Sequence, residues 1–100
     1  MYIYNVTVNI EDAVKDDWIL WMRTIHIPAV IATGCFLSHR VCKLMNVQDE
    51  GATYSIQYFF NSMDDLNRYQ QQHAPRLQKE HKEKFGERAL AFRTLMEVVE

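Results

Sequence analysis

Hydrophobic and polar residues alternate from Tyr2 to Ile10, with Tyr2, Tyr4, Val6, Val8 and Ile10 on one face and Ile3, Asn5, Thr7 and Asn9 on the other. That period of two predicts a strand with one buried side. Past the acidic Glu11 and Asp12 the period changes, and Val14, Trp18, Trp21, Met22 and Ile25 recur at helical spacing, as on a helix with one apolar stripe. Pro28 has no amide hydrogen for a continuing helix and biases Ile27 towards extended backbone, so a break or turn is expected there, with a short restart over Pro28 to Ala32. Gly34 is expected to close that segment in the left-handed conformation.

A second strand is expected from about Cys35 to Asn46, with an imperfect alternation that leaves its register open. The polar stretch Gln48, Asp49, Glu50, Gly51 predicts a hairpin connection. The third strand alternates cleanly, with Tyr54, Ile56, Tyr58 and Phe60 opposite Thr53, Ser55, Gln57 and Phe59. Ser62, with Asp65 three residues on, marks a helix start. The inner stripe of that helix is Leu66, Tyr69, His73, Leu77, His81 and Phe85, and Pro75 predicts a kink or break near His73 and Ala74. A last strand from about Ala89 to Val99 sets Leu90, Phe92, Thr94, Met96 and Val98 against Ala91, Arg93, Leu95, Glu97 and Val99.

The predicted order is β-α-β-β-α-β. It implies an α+β, ferredoxin-like domain spanning residues 1–100, with a four-stranded antiparallel sheet and both helices on one face. The aromatic sides of strands one, three and four are expected to meet the helices. Ile3, Asn5, Thr7, Ser55, Gln57, Phe59, Arg93 and Leu95 are then expected on the second face, too apolar for open exposure and too polar for a dry core. Such a surface fits pairing with another copy of the chain, a homodimer through the sheet face.

Composition narrows the function classes. One hundred residues make a single domain, and the net charge of −2 provides no concentrated basic face for nucleic acid or anionic lipid. No apolar run approaches the roughly 20 residues of a membrane span, and the N-terminus lacks the pattern of a signal peptide, so a cytoplasmic protein is expected. Cys35 and Cys42 are placed on one extended strand, roughly 23 Å apart, and are expected to be reduced thiols. The three glycines stand at element boundaries, which excludes a glycine-rich phosphate loop. No serine sits in a nucleophile elbow.

The candidate chemistry centres on the stretch from Trp18 to Phe36. Trp18 and Trp21 are expected as helix core, and alternatively as the walls of a ligand pocket. His26 is either a cap on the helix end or a proton acceptor with a near-neutral pKa. His73 and His81 are roughly 12 Å apart along a helix, too far for one metal ion, so no metal site is expected. Arg93 is expected on the second face beside Gln57 and Asn5, either to pair with Glu97 or across a dimer axis, or to anchor an anionic ligand in the interior between the sheets.

The segments YIYNVTVNI, WMRTIHIPAVIATGCF, QYFF with its continuation SMDDLNRYQQQHAPRL, and KFGERALAFRTLMEVV resemble a small bacterial family of unknown function, over nearly the whole chain. That family is similar in turn to the dimeric α+β barrel superfamily, which includes cofactor-independent monooxygenases and isomerase-like proteins. The resemblance implies a homodimeric barrel. Two functions follow as expectations. One is a small-ligand-binding or structural homodimer. The other is a cofactor-independent monooxygenase or isomerase acting on a small aromatic or apolar acid, with His26 as proton acceptor, Trp18 and Trp21 as walls, and Asn5 or Arg93 orienting the substrate.

Overall fold

The computed structural model describes residues 1–45 and 50–100. Its four strands are β1 (Tyr2–Ile10), β2 (Ser38–Lys43), β3 (Ala52–Phe60) and β4 (Ala89–Glu97). They form one antiparallel sheet in the order β2-β3-β1-β4. Helices α1 (Lys15–Trp21), α2 (Ile27–Ala32), α3 (Met63–Gln72) and α4 (Ala74–Phe85) make the two crossovers, so the split β-α-β-β-α-β arrangement is present. Gln48 and Asp49 of the expected hairpin turn, and the expected end of the second strand at Asn46, lie outside the described residues.

The first crossover departs from the expected break at Pro28. The backbone stays helical at Trp21, Met22, His26 and Ile27, and a π-helical turn over Met22–His26 joins α1 to α2. In that wider turn the Ile27 N–H donates to the Met22 carbonyl, five residues back. The widening accommodates the proline without ending the helix, because a π turn changes which carbonyls seek a donor and gives the ring room. His26 is therefore carried in the body of a continuous helix and does not cap an end. At the far end Gly34 adopts φ 77°, the left-handed closure expected of it.

The second crossover follows its pattern closely. Ser62 caps α3 by accepting from the Asp64 N–H at 3.1 Å. Pro75 separates α3 from α4 at His73, whose φ of −127° lies outside the helical range. The second strand is shorter than expected: it begins at Ser38, and Cys35 and Phe36 precede it as buried residues of the connection. Both thiols are free.

The core lies between helices and sheet. Tyr4, Val8 and Ile10 of β1 and Ile56, Tyr58 and Phe60 of β3 meet Trp18, Met22, Ile27, Leu66, Tyr69, Leu77 and Phe85. Register corrects the expectation for β4. Val6 pairs with Arg93, Val8 with Ala91 and Tyr4 with Leu95, so Ala89, Ala91, Arg93 and Leu95 share the helix-facing side with the even-numbered residues of β1. The larger apolar residues Leu90, Phe92 and Met96 fall on the open face. The sequence pattern misleads here because β4 is an edge strand. Its helix-facing side borders a cavity that Arg93 helps to line, and its greasiest side faces away from the helices.

Candidate functional site

Two aromatic groups occupy the core. Tyr4, Phe36, Tyr58, Phe60 and Tyr69 form one, with Phe36 and Tyr69 ring centroids 4.9 Å apart. The other contains Trp18, Trp21, His26, His81 and Phe85: Trp21 stacks on His26 at 5.1 Å and His26 lies 5.9 Å from His81. Between the two groups is a cavity of about 30 Å³, room for roughly one or two water molecules. Its polar lining comes from His26, Tyr4, Tyr69, Gln78, His81 and Arg93, and Val6, Val8, Met22 and Ile56 supply apolar walls. A groove between α4 and β4 shares Gln78, His81, Ala91 and Arg93 with it, so those four residues stand where the cavity meets the surface.

Each polar group arrives by a definite route. His26 ends the π turn and stacks there against Trp21. The break at His73 starts α4 afresh, and its stripe from Leu77 brings His81 beneath Trp18. The Trp18 indole N–H donates to His81 Nε2 at 2.9 Å. Since indole nitrogen only donates, His81 is neutral, with its ring proton on Nδ1. Antiparallel pairing with Val6 sets Arg93 on the helix-facing side, where it lines the edge of the cavity while remaining exposed.

The electrostatics agree. Burial lowers the His26 pKa to about 4, and the neighbouring His81 and Arg93 push the same way. Burial also lowers that of His81, again with Arg93 contributing. Burial raises the Tyr4 hydroxyl, with the Arg93 guanidinium opposing, and burial likewise raises Tyr69. Both imidazoles are thus neutral at pH 7, His26 Nδ1 is buried with no hydrogen-bond partner, and among the described residues Arg93 has no carboxylate partner. The expected bridge from Arg93 to Glu97 is not made.

The residues singled out from sequence separate into three places. His26 and Arg93 line the same cavity. Trp18 is fully buried at 0% exposure and Trp21 is half-buried, and both pack behind the histidines and do not line the cavity. Asn5 lies on the other side of the sheet, accepting from the Ser55 hydroxyl and donating to Thr7. His81, Tyr4, Tyr69 and Gln78 were not singled out. The inward stripe Leu77, His81, Phe85 carried the signal for His81, but only its distance from His73 was weighed. Among the described residues no group of three or more His, Cys, Asp or Glu is placed to hold a metal ion, and no helix is long and apolar enough to cross a membrane.

The model of a domain of unknown function, DUF4286, matches residues 1–99. The chain belongs to the DUF4286 family. No curated protein matches this DUF4286 domain. Among solved structures it is similar to an ethyl tert-butyl ether D (EthD) family protein from Bacillus halodurans, with a TM-score of 0.69 at 11% identity, covering 99% of this chain and 100% of that one. The DUF4286 chain therefore shares the α+β fold of that protein, a four-stranded antiparallel sheet with its helices on one face. At that identity the likeness concerns the fold, and functions differ widely on shared folds.

Proposed function

We propose that the chain is a small-ligand-binding protein that works as a homodimer through the open face of its sheet. The observation that carries the binding reading is the cavity, lined by two neutral histidines and by an arginine that has no carboxylate partner among the described residues. Small-molecule sites are commonly concave, mostly apolar, and furnished with a few convergent polar groups. The cavity is small, so a bound molecule occupies it with a few atoms and leaves the rest in the adjoining groove. The open face supports the dimer, since it exposes Leu90 at 61% and Phe92 at 63% beside Met96 and Phe59. Apolar surface of that kind marks an interaction site. A fragment screen of mixed chemistry tests the binding reading: saturable shifts confined to the ring resonances of His26 and His81 support it, and a panel in which none moves them sets it aside.

A second reading is favoured by one feature, the unpartnered Nδ1 of His26. A neutral imidazole with an unpartnered nitrogen can accept a proton, as a weak base given that burial lowers its pKa to about 4. In this reading the protein is a cofactor-independent oxygenase or isomerase acting on a small aromatic or apolar acid, with His26 as proton acceptor. Incubation of candidate acids with the protein in deuterium oxide tests it. Loss of the α-hydrogen signal that disappears in His26→Phe supports abstraction, and retention of that signal with wild-type protein removes it.

A further inference from the structure

Resting on the binding reading above, we infer that the cavity takes the carboxylate of a small monoanion, and that Trp18 is a positioning residue which makes His81 a hydrogen-bond donor to it. The first step is the charge inventory. Arg93 is the one cation in the cavity lining and no Asp or Glu is among its described residues, so a bound cation would meet repulsion and no counter-charge. An anion meets a guanidinium that has no carboxylate partner among the described residues and whose one neighbour of note is the Tyr4 hydroxyl, and the forked donor set of arginine matches a carboxylate with two parallel bonds.

The second step is the sorting of the histidines. An imidazole alone offers a donor or an acceptor at either nitrogen. By donating to His81 Nε2, Trp18 removes that freedom and leaves the N–H at Nδ1 as the ring's remaining polar group. Trp18 is itself immobilised by complete burial and by Tyr54, 5.3 Å away. The tautomer is consequently set by packing in the core. Together with Arg93 and the Gln78 amide at the mouth, and the hydroxyls of Tyr4 and Tyr69 deeper in, it gives the cavity lining an array rich in donors. The third step is size. A space of about 30 Å³ admits a planar carboxylate, whereas a phosphate brings nearly two negative charges and three acceptor oxygens to a single guanidinium. The remainder of the acid lies along Ala91 and Leu90 in the groove.

The test uses the full chain, labelled with nitrogen-15, at pH 7. In ligand-free wild-type protein His81 is expected with a bare Nε2 and a protonated Nδ1, and Trp18→Phe is expected to release a mixture of tautomers. Titration with acetate should shift the His81 and Arg93 side-chain resonances saturably, and acetamide and ethylamine should leave them in place. Arg93→Gln is expected to weaken acetate at least tenfold. His81→Gln, whose amide both accepts from the indole and donates, should retain most of the acetate affinity that His81→Phe loses. A proton on His81 Nε2 in the wild type overturns the role of Trp18 without recourse to any variant. Equal response to acetamide overturns the carboxylate assignment while a small-ligand cavity stands, and no response to any of the three probes, together with a silent fragment screen, overturns both.

Discussion

On the side of the sheet that faces the helices, the side chains of β1 and β3 are buried and aromatic, and the polar groups that reach them are few and arranged around one cavity. On the open side, Asn5, Thr53 and Ser55 at the centre are buried and hydrogen-bonded to one another or to neighbours, and the apolar residues Leu90 and Phe92 lie exposed along β4. Polar and apolar residues thus exchange places between the two faces. That face has a polar, hydrogen-bonded centre and leaves apolar side chains exposed at its margin. The helix-facing side is complete within one protomer except at the cavity. This contrast separates what stabilises the protomer from what is available for assembly and binding.

The most damaging way to break the contrast lies on the covered side. Trp18→Ala removes a fully buried indole and the partner of His81, and should cost about 3–5 kcal/mol of unfolding free energy, measured by chemical denaturation. A loss below about 1 kcal/mol would show that this side is less tightly packed than described. Next in size is the titration of the cavity. The folded protein holds His26 near 4, below its ordinary value of about 6.5, so the unfolded chain binds more protons in that interval. Stability is therefore expected to be full above pH 6.5 and to fall as pH drops towards 4, by on the order of 3 kcal/mol from this group if its shift is realised in full. His81 adds in the same direction. A denaturation midpoint that is flat across this interval in wild type and His26→Phe alike would contradict the neutral burial of His26.

The open face gives a prediction of a different kind. Phe92→Glu changes an exposed side chain, so protomer stability should move by no more than about 0.5 kcal/mol. In a homodimer built on this face the same change places like charges near one another, and sedimentation at micromolar concentration should shift from twice the chain mass to one. Wild-type protein that sediments as a single chain removes the dimer outright. The smallest expected effect is Ser55→Ala, which takes one hydrogen bond from Asn5 and should cost about 1 kcal/mol by thermal unfolding. A change larger than that of Trp18→Ala would reverse the ranking of the two faces.

Local periodicity was enough for β1 and β3, whose apolar residues alternate cleanly, and for α3 and α4, whose starts are marked by a cap and a proline. Ser62 and Pro75 are cases where a single residue's chemistry fixes the boundary. It was insufficient at Pro28, where the choice between a broken helix and a π turn depends on whether continued packing of Ile27 and Val30 rewards continuity. It also gave the wrong face for β4. Apolar parity pointed Leu90 and Phe92 inward, but a strand's parity reports which side is greasy, and here both sides of the sheet have apolar demands.

By itself, then, the order of residues determined the elements, their β-α-β-β-α-β succession and the ferredoxin-like fold, since these follow from short-range spacing and the chirality of crossovers. It also supplied His26 and Arg93 as residues of interest. The tertiary structure decided that those two share a cavity, that His81 joins them with its tautomer fixed by Trp18, and that Asn5 belongs to the opposite face. These are matters of register and of contact between residues as distant as Trp18 and His81. No local pattern encodes them, because they depend on which surfaces the whole chain leaves to be filled.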